Sequence, residues 1–276
     1  MNLRTRRIAL VVVAVLTFLN VNICFAEEDF GSQIVPVLMY HNIAEEYPEE
    51  TVGANITPEL FEEHMLAILE CGYTPVLVRD YYESVQKGKA LPPNPIAITF
   101  DDGYLSNYEV AYPILKELNI PATIFIVTST VGATGENGDV SYPHFTWGQA
   151  REMQDSGIID IHSHSHTHKK VSDMTPAQMQ IELRMSKYLI ERNLEKNCFI
   201  FAYPFGGYNK TTASLAKYAG YRMQILVNDQ ASEEDYLANR LIDGLSTFTR
   251  LTVSGDMSVE DLFERIDSAV KNSRGY

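Results

Sequence analysis

The chain has 276 residues, of which 36 are acidic and 22 are basic, so its net charge at pH 7 is −14. A surface this acidic argues against nucleic acid or an anionic lipid surface as a partner. The chain has three cysteines, too few for a fold that depends on a framework of disulfides.

The N-terminus has the pattern of a secretory signal peptide. Three arginines, a long apolar run and a small residue at Ala26 follow one another in the order typical of export and cleavage. We expect 1–26 to be a signal peptide, with a retained membrane anchor as the alternative, because the apolar run nears spanning length. The remaining 27–276 would form one exported domain, extracellular or in the cell envelope, whose 19 basic and 36 acidic residues give a net charge of −17. The sequence leaves open whether Cys71 and Cys198 pair.

The rest of the chain alternates short apolar runs with amphipathic segments, a pattern that predicts strands and helices in turn. In chain order the prediction is strand 35–40, helix 58–72, strand 74–78, helix 79–88, strand 96–100, helix 107–119, strand 122–127, helix 147–156, strand 158–161, helix 176–193, strand 198–203, helix 211–219, strands 223–227 and 249–253, and helix 258–271. Continuously apolar strands separated by helices indicate a largely parallel sheet. About seven or eight such units favour a single α/β TIM-like barrel over an open doubly wound sheet.

Unusual polar or glycine-rich segments follow four of these strands. They are His41, the pair Asp101 and Asp102, the histidine run 162–168, and the segment 204–207. In α/β barrels the catalytic residues come from the carboxyl ends of several strands, which lie on one rim. The four segments therefore predict an active site at that rim.

Histidine and carboxylate side chains together are the ligands of a catalytic Zn²⁺ or a similar divalent ion. Residues four apart on an extended strand lie about 13 Å from each other, too far to share one ion. On a helical turn they are neighbours at roughly 5–6 Å, so the chain must turn within the run. Spacing alone allows His162 with His166, or His164 with His168. The residues therefore predict a metal-dependent hydrolase but leave the ligand pair open.

Three segments resemble motifs of the polysaccharide deacetylase family, which is carbohydrate esterase family 4 or the NodB homology domain. They read Thr-Phe-Asp-Asp-Gly-Tyr at 99–104, Ser-His-Ser-His-Thr-His at 163–168 and Phe-Ala-Tyr-Pro-Phe-Gly at 201–206. The resemblance extends over roughly 34–266 and implies a distorted (β/α)₇ barrel. It also implies hydrolysis of acetyl groups on a polysaccharide.

The resemblance implies roles for particular residues. The second aspartate of the first motif, Asp102, would bind the metal together with His164 and His168, and the first, Asp101, would act as the general base. The metal expected from these ligands is Zn²⁺, with Co²⁺, Ni²⁺ or Fe²⁺ as alternatives.

The sequence departs from the family pattern in two places. Many members have an arginine where Ala202 stands, and Arg250 in the last predicted strand could substitute for it. The late Leu-x-His motif that supplies the general acid is missing, since no histidine follows His168. His41 fills this gap, an arrangement similar to the poly-N-acetylglucosamine deacetylase branch of the family, PgaB and IcaB.

The remaining candidates have lesser expected roles. The third motif is expected to bind substrate and the oxyanion, through Tyr203, Pro204, Phe205 and Gly206. His162 could support the site, and Trp147 is expected to pack in the core in preference to stacking on a sugar. His64 and His144 are expected to have no catalytic role.

These inferences together predict removal of N-acetyl groups from a polymer that contains N-acetylglucosamine, with release of acetate. Poly-N-acetylglucosamine, the glycan of peptidoglycan and chitin-like oligomers all offer this group. One alternative is an O-acetyl esterase on xylan or another acetylated polymer. Another is a carbohydrate-binding member of the family that has lost catalysis.

Overall fold

The computed structural model describes residues 30–47, 49–134, 142–227, 237–245 and 248–274. The predicted signal peptide lies outside these ranges. Among the helices that the ranges contain, none is both long enough and apolar enough to cross a bilayer. Cys71 and Cys198, whose pairing the sequence left open, are both free thiols.

The strands of the described ranges form one large sheet and two small ones. They are β1 Ile34–Val35, β2 Val37–Tyr40, β3 Asn42–Ile43, β4 Asn55–Ile56, β5 Thr74–Val76, β6 Pro95–Asp102, β7 Ala122–Ile126, β8 Ile159–Ser163, β9 Ile200–Ala202, β10 Met223–Ile225, β11 Asn239–Arg240 and β12 Leu251–Thr252. The small sheets are the antiparallel pair β1–β11 and the parallel pair β3–β4, neither of which was predicted.

The large sheet is parallel throughout and curls into a barrel. Its strand order is β10-β9-β8-β7-β6-β2-β12, and β5 pairs with the start of β6. Phe248 forms a parallel bridge to Ile225 of β10, three residues before Leu251 begins β12. The segment that leads into β12 thus joins the two edges of the sheet. The predicted fold, a distorted (β/α)₇ barrel in a single domain, is confirmed.

The helices lie where the periodicity predicted them, within a few residues. They are α1 Pro58–Glu70, α2 Val78–Lys87, α3 Tyr112–Glu117, α4 Trp147–Asp155, α5 Pro176–Leu194, α6 Lys210–Tyr218 and α7 Val259–Arg274. Local capping explains several ends. The side chain of Thr57 accepts a hydrogen bond from the N–H of Leu60 at the start of α1, and Gly88 ends α2 in the left-handed conformation.

One predicted helix is irregular. Over 107–119 the chain forms a π-helical segment, Asn107–Ala111, followed directly by α3. Pro113 has no N–H to donate to the preceding turn, which weakens a regular α-helix at this point. The N–H of Tyr112 instead reaches back to the carbonyl of Asn107. Such π segments are frequent at functional sites, and this one follows the strand that carries the paired aspartates.

The two faces of β6 have different surroundings. Ile96, Ile98 and Phe100 belong to a core cluster that also contains apolar residues of the surrounding helices. Because successive side chains of a strand point to opposite faces, Thr99 and Asp101 point into the barrel. The pleat of β6 therefore delivers one carboxylate to the barrel interior at the carboxyl end of the sheet.

Candidate active site

Asp101 and Arg250 form a buried, bidentate ion pair at the top of the barrel. Nη1 of Arg250 lies 2.6 Å from Oδ1 of Asp101, and Nη2 lies 2.6 Å from Oδ2. Nη1 also donates to Oγ1 of Thr99 at 3.3 Å, and the guanidinium lies over the ring of Phe125. Two parallel charge-assisted hydrogen bonds fix both the charge and the plane of the carboxylate. Arg250, which the sequence suggested as a substitute for the missing motif arginine, thus contacts Asp101 directly.

The surroundings of Asp101 keep it ionised. Burial is the largest single influence on its carboxyl and would raise the pKa, while the charge of Arg250 is the strongest of several influences that together lower it. His164, the hydrogen bonds from Arg250 and the charge of His41 act in the same direction, so the pKa lies well below its usual range. At neutral pH this carboxylate is therefore ionised.

Asp102, His164 and His168 converge on one point beside this pair. Each offers one ligand atom, and the three atoms lie within 4.8 Å of one another. Oδ1 of Asp102 is 3.1 Å from Nε2 of His168 and 3.7 Å from Nε2 of His164. This oxygen is buried and has no hydrogen-bond partner. An orphaned carboxylate oxygen facing two imidazole nitrogens fits a divalent cation.

Left-handed backbone at both ends of the site brings these residues together. Asp102 and Gly103 have φ values of 69° and 82°, which turns the chain sharply at the end of β6. Ser165 and His168 have φ values of 71° and 57° and fold the histidine run back on itself. Strand β6 extends two residues further than predicted, because Asp101 and Asp102 still pair with β7.

The other histidine pair that the spacing allows, His162 and His166, is not brought together. His162 lies within strand β8, and its Nε2 is 3.1 Å from Oδ2 of Asp160. His166 lies beyond the strand, where its Nδ1 is 2.9 Å from Oγ1 of Thr128. The turn inside the run thus brings His164 and His168 close to Asp102.

The protonation state of His164 is fixed by its surroundings. Its Nδ1 lies 3.0 Å from the carbonyl oxygen of Ala202, an acceptor only, so Nδ1 carries the hydrogen. The lone pair of Nε2 then points toward Asp102 and His168. Burial lowers the pKa of His164 to about 4, although Asp101 and Asp102 oppose the shift. The imidazole is therefore neutral at pH 7, as a metal ligand must be.

His41 reaches the same rim from the neighbouring strand. It directly follows β2, which pairs with β6. Its backbone carbonyl accepts a 2.7 Å hydrogen bond from Nδ2 of Asn107, the first residue of the π segment. Its Nδ1 is buried without a hydrogen-bond partner. The irregular helix after the paired aspartates therefore holds the backbone of His41.

In the third motif, Phe205 is the residue that faces outward. The N–H of Tyr203 donates to the carbonyl of Ile225, and the N–H of Gly206 donates to the carbonyl of Tyr203. Tyr203 and Pro204 are buried. Phe205 has a φ of 54° and is 63 % exposed, and its ring centroid lies 4.7 Å from that of His168.

The two remaining support candidates lie away from this cluster. His162 is bonded to Asp160 inside the barrel and packs edge-on against Phe199 at 5.1 Å. Trp147 begins α4 and packs against the core cluster between sheet and helices, as expected. Asp160 also forms an ion pair with Lys196.

Tyr104 and His144, to which the sequence analysis gave no role in the site, lie next to the candidate metal ligands. Their ring centroids are 4.9 Å apart, and an isolated bridge joins the two residues. Burial raises the pKa of Tyr104, and the Asp102 carboxylate raises it further. Burial lowers the pKa of His144, while the charge of Asp102 opposes this. Tyr104 follows the Asp-Asp-Gly turn and was within reach of the sequence, whereas nothing local marks His144.

The barrel, its polar rim and the Asp-His-His cluster define an α/β-barrel domain with a candidate metal site. Residues 88–224 match the family model for polysaccharide deacetylases. The chain carries a polysaccharide deacetylase domain of carbohydrate esterase family 4.

Several curated proteins resemble the chain. It is 32 % identical over 198 residues to YxkH of Bacillus subtilis, a candidate polysaccharide deacetylase, covering 72 % of this chain and 65 % of YxkH. It is 29 % identical over 182 residues to a poly-β-1,6-N-acetyl-D-glucosamine N-deacetylase of Staphylococcus aureus, covering 62 % and 61 % of the two chains. The matches thus span less than two thirds of the length of these relatives.

Solved structures share the fold. The deacetylase PplD of Streptococcus pyogenes, in complex with acetate, superposes with a TM-score of 0.72 at 27 % identity, covering 84 % of this chain and 98 % of PplD. A polysaccharide deacetylase from Bacillus cereus gives 0.69 at 25 % identity, covering 85 % and 69 %. IcaB from Ammonifex degensii gives 0.69 at 22 % identity, covering 86 % and 97 %, which supports the fold.

Proposed function

We propose that the protein is an exported, metal-dependent N-deacetylase that releases acetate from N-acetylglucosamine units of a polysaccharide. The observation that carries the proposal is the clamped carboxylate of Asp101 beside the Asp102, His164 and His168 cluster. The staphylococcal relatives named for poly-β-1,6-N-acetyl-D-glucosamine favour that polymer over peptidoglycan glycan or chitin-like oligomers.

Asp102, His164 and His168 would hold the divalent cation, with Zn²⁺ as the first candidate and Co²⁺, Ni²⁺ or Fe²⁺ as alternatives. Such a cation supplies Lewis-acid chemistry, because it polarises a carbonyl oxygen and lowers the pKa of a water. The chain's own part is to present one carboxylate oxygen and two imidazole nitrogens. The hydrogen bond from Nδ1 of His164 to Ala202 supports this by orienting one of those nitrogens.

Asp101 would take a proton from the attacking water. Its Oδ2 lies 3.5 Å from Nε2 of His164, so the base borders the candidate ligands. Arg250 supports this role in two ways. It keeps the carboxylate ionised, and it holds the carboxylate in one plane, so that little reorganisation is needed when the proton moves.

His41 would protonate the departing amine nitrogen. An amine leaves poorly as an anion, and a positioned acid typically contributes about 10²–10⁴ in rate. The N–H of Phe205 is the candidate donor to the oxyanion, since Pro204 has no N–H and those of Tyr203 and Gly206 are already bonded. Loss of one such donor costs about 2.7–4 kcal/mol in enzymes where it has been removed.

Export and location belong to the proposal as well. A signal peptide over 1–26 would deliver the domain 27–276 to the cell envelope or the exterior, where acetylated polymers lie. Membrane contact would occur only if that N-terminal segment is retained. The acidic composition supports a neutral polysaccharide over nucleic acid as the partner.

Acetate release from a panel of polymers tests the proposal. The panel contains poly-N-acetylglucosamine, peptidoglycan glycan, chitin oligomers and acetylated xylan, each with and without a chelator and added Zn²⁺. Asp101→Asn should keep the metal and lose activity, whereas His164→Ala should lose both. Near wild-type turnover by Asp101→Asn would remove that residue from the role of base.

Two other outcomes would replace the proposal. Release of acetate from xylan alone would make the protein an O-acetyl esterase. A purified protein that binds no metal and releases no acetate would be a carbohydrate-binding member of the family.

A further inference from the structure

Glu182 is a buried acid with an unusual set of partners. It lies on α5 and is 7 % exposed, yet no lysine, arginine or histidine forms an ion pair with it in the part of the chain that the structure describes. Burying a carboxylate is costly unless hydrogen bonds compensate for its lost hydration. The groups that compensate Glu182 all come from one short segment of the histidine run.

Three hydrogen bonds join Glu182 to that segment. The N–H of His166 donates to Oε2 at 3.1 Å, and the N–H of Thr167 donates to the same oxygen at 2.8 Å. The hydroxyl of Thr167 donates to Oε1 at 2.8 Å. His166 and Thr167 stand between the candidate ligands His164 and His168 in the chain. Hydrogen bonds to an ionised acceptor are the stronger kind, so the acid holds the middle of the ligand turn.

The turn needs support from outside itself. Ser165 and His168 both have left-handed backbone, which residues with a Cβ adopt only when the surroundings impose it. Two internal hydrogen bonds help, from Ser165 N–H to Ser163 Oγ and from His168 N–H to Ser165 Oγ. Neither of these bonds reaches His166 or Thr167.

Helix α5 provides a rigid base for the acid. Its next residue, Leu183, is buried in the main core cluster. One turn further on, Ser186 accepts a 2.8 Å hydrogen bond from Ser163 at the end of β8. Glu182 and Ser186 thus attach the same face of the helix to both the strand end and the turn.

We propose that Glu182 is a positioning residue that sets the affinity of the Asp102, His164 and His168 site for its divalent cation. Its carboxylate holds the turn so that Nε2 of His168 stays within reach of Asp102. The inference rests on the proposed metal site and adds a determinant outside the ligands themselves.

Zn²⁺ binding to the chelator-stripped full chain tests the inference, measured by competition with a chromogenic chelator. Glu182→Gln keeps the size of the side chain but loses the charge and one acceptor, so we expect the Kd for Zn²⁺ to rise about 10–100-fold. Glu63→Gln is the matched control, because it makes the same charge change at an exposed position of α1. Its Kd should equal that of the wild type.

A milder variant guards against misfolding. Thr167→Val removes the hydroxyl hydrogen bond and keeps the side-chain shape, so its Kd should rise by less than that of Glu182→Gln. The double variant should bind Zn²⁺ no more weakly than Glu182→Gln alone, since both substitutions disrupt the same interaction between Thr167 and Glu182. The unfolding midpoint of each metal-free variant is measured separately, and the shift in Kd should not follow it.

The outcomes separate the inference from the proposed function. If wild-type protein binds Zn²⁺ and both Glu182→Gln and Thr167→Val bind it equally well, the positioning role is wrong and the metal site stands. If Glu182→Gln does not fold, an unchanged Kd in Thr167→Val overturns the role by itself. If the wild type binds no Zn²⁺, the metal site and the inference fail together.

Discussion

Arg250 shows how one side chain can serve both stability and chemistry. It is fully buried, and the charge that neutralises it is the carboxylate of Asp101. In the family pattern the corresponding arginine stands at the position of Ala202, on a different strand. Arg250 lies just before β12, and its side chain reaches Asp101 near the carboxyl end of β6.

Removal of this arginine should damage the protein in two measurable ways. Arg250→Met leaves Asp101 buried without a counter-charge, so we expect a loss of about 3–5 kcal/mol in the free energy of unfolding. The pKa of Asp101 should rise, and deacetylation should fall with it. Urea unfolding and the pH dependence of acetate release measure the two effects.

Two further variants control this prediction. Arg250→Lys keeps the charge but cannot form the two parallel bonds, so it should recover part of the stability and little of the activity. Arg184→Met, at an exposed position of α5, should change neither. Full activity in Arg250→Met would show that Asp101 needs no partner.

His41 should matter more for an amide than for an ester. His41→Ala should lower deacetylation of N-acetylglucosamine oligomers by about 10²–10⁴, because the amine must be protonated as it leaves. An O-acetyl substrate should lose much less, since an alkoxide leaves more easily. Turnover of both substrates by the same preparation is the measurement, and equal losses would assign His41 a role other than the acid.

At the scale of elements, the end of β6 depends on one glycine. Gly103 has a φ of 82°, and a Cβ there would lie 3.1 Å from Cγ2 of Ile126 and 3.3 Å from Cζ of Phe145. Gly157 has a similar φ of 76° but open space around it. The two glycines therefore separate backbone strain from steric contact.

Gly103→Ala and Gly157→Ala should both lower the free energy of unfolding by roughly 1–2 kcal/mol, because an alanine is strained in left-handed backbone. Gly103→Ala should in addition weaken Zn²⁺ binding and activity, because Asp102 must shift when Ile126 and Phe145 are displaced. Unfolding midpoints and Zn²⁺ titration test this. If Gly157→Ala lost as much activity as Gly103→Ala, the steric explanation would be wrong.

Local pattern predicted the regular elements well, because apolar periodicity reflects which face of a helix or strand is buried. It did not predict the antiparallel pair β1–β11, whose partners Ile34 and Arg240 lie far apart in the chain. It also missed the π segment Asn107–Ala111, which depends on packing around Pro113. The pattern also did not predict that β6 continues for two more residues, because charged residues directly after an apolar run are typical of a loop.

The candidate site was predictable in its residue types but not in its contacts. Spacing allowed two histidine pairs, and the family resemblance, not geometry, selected His164 and His168. Glu182 and His144 come from a helix and a loop with no local signal. Their proximity arises from tertiary packing, which a one-dimensional pattern does not contain.

At the scale of the whole molecule, three buried histidines predict a pH dependence of stability. His64, His162 and His164 each have a pKa of about 4, lowered chiefly by burial, against 6.5 in the unfolded chain. Between these values the unfolded state binds more protons than the folded state, so the stability is complete above about pH 6.5 and is lost as the pH falls toward 4. Within that window, each histidine should lower the free energy of unfolding by about 1.4 kcal/mol for every pH unit that the pH falls.

Urea unfolding in the presence of a chelator, at pH 7.5 and pH 5, measures this loss. His64 lies away from the site and bonds to Tyr40 and to the carbonyl of Met257. The free energy of unfolding of His64→Phe should therefore depend less steeply on pH, because one histidine fewer takes up a proton on unfolding. A stability that did not change between the two pH values would contradict the burial of neutral histidines.

The ion pair between Asp101 and Arg250 joins residues 149 positions apart, and its arginine immediately precedes the strand that completes the sheet. A contact of such long range can form only after the entropy cost of closing a long loop has been overcome. Until that strand docks, Asp101 has no counter-charge, and a half-folded chain has no oriented base. If the protein has the proposed activity, acetate release should begin only when the barrel has closed, and it would then report the final folding step.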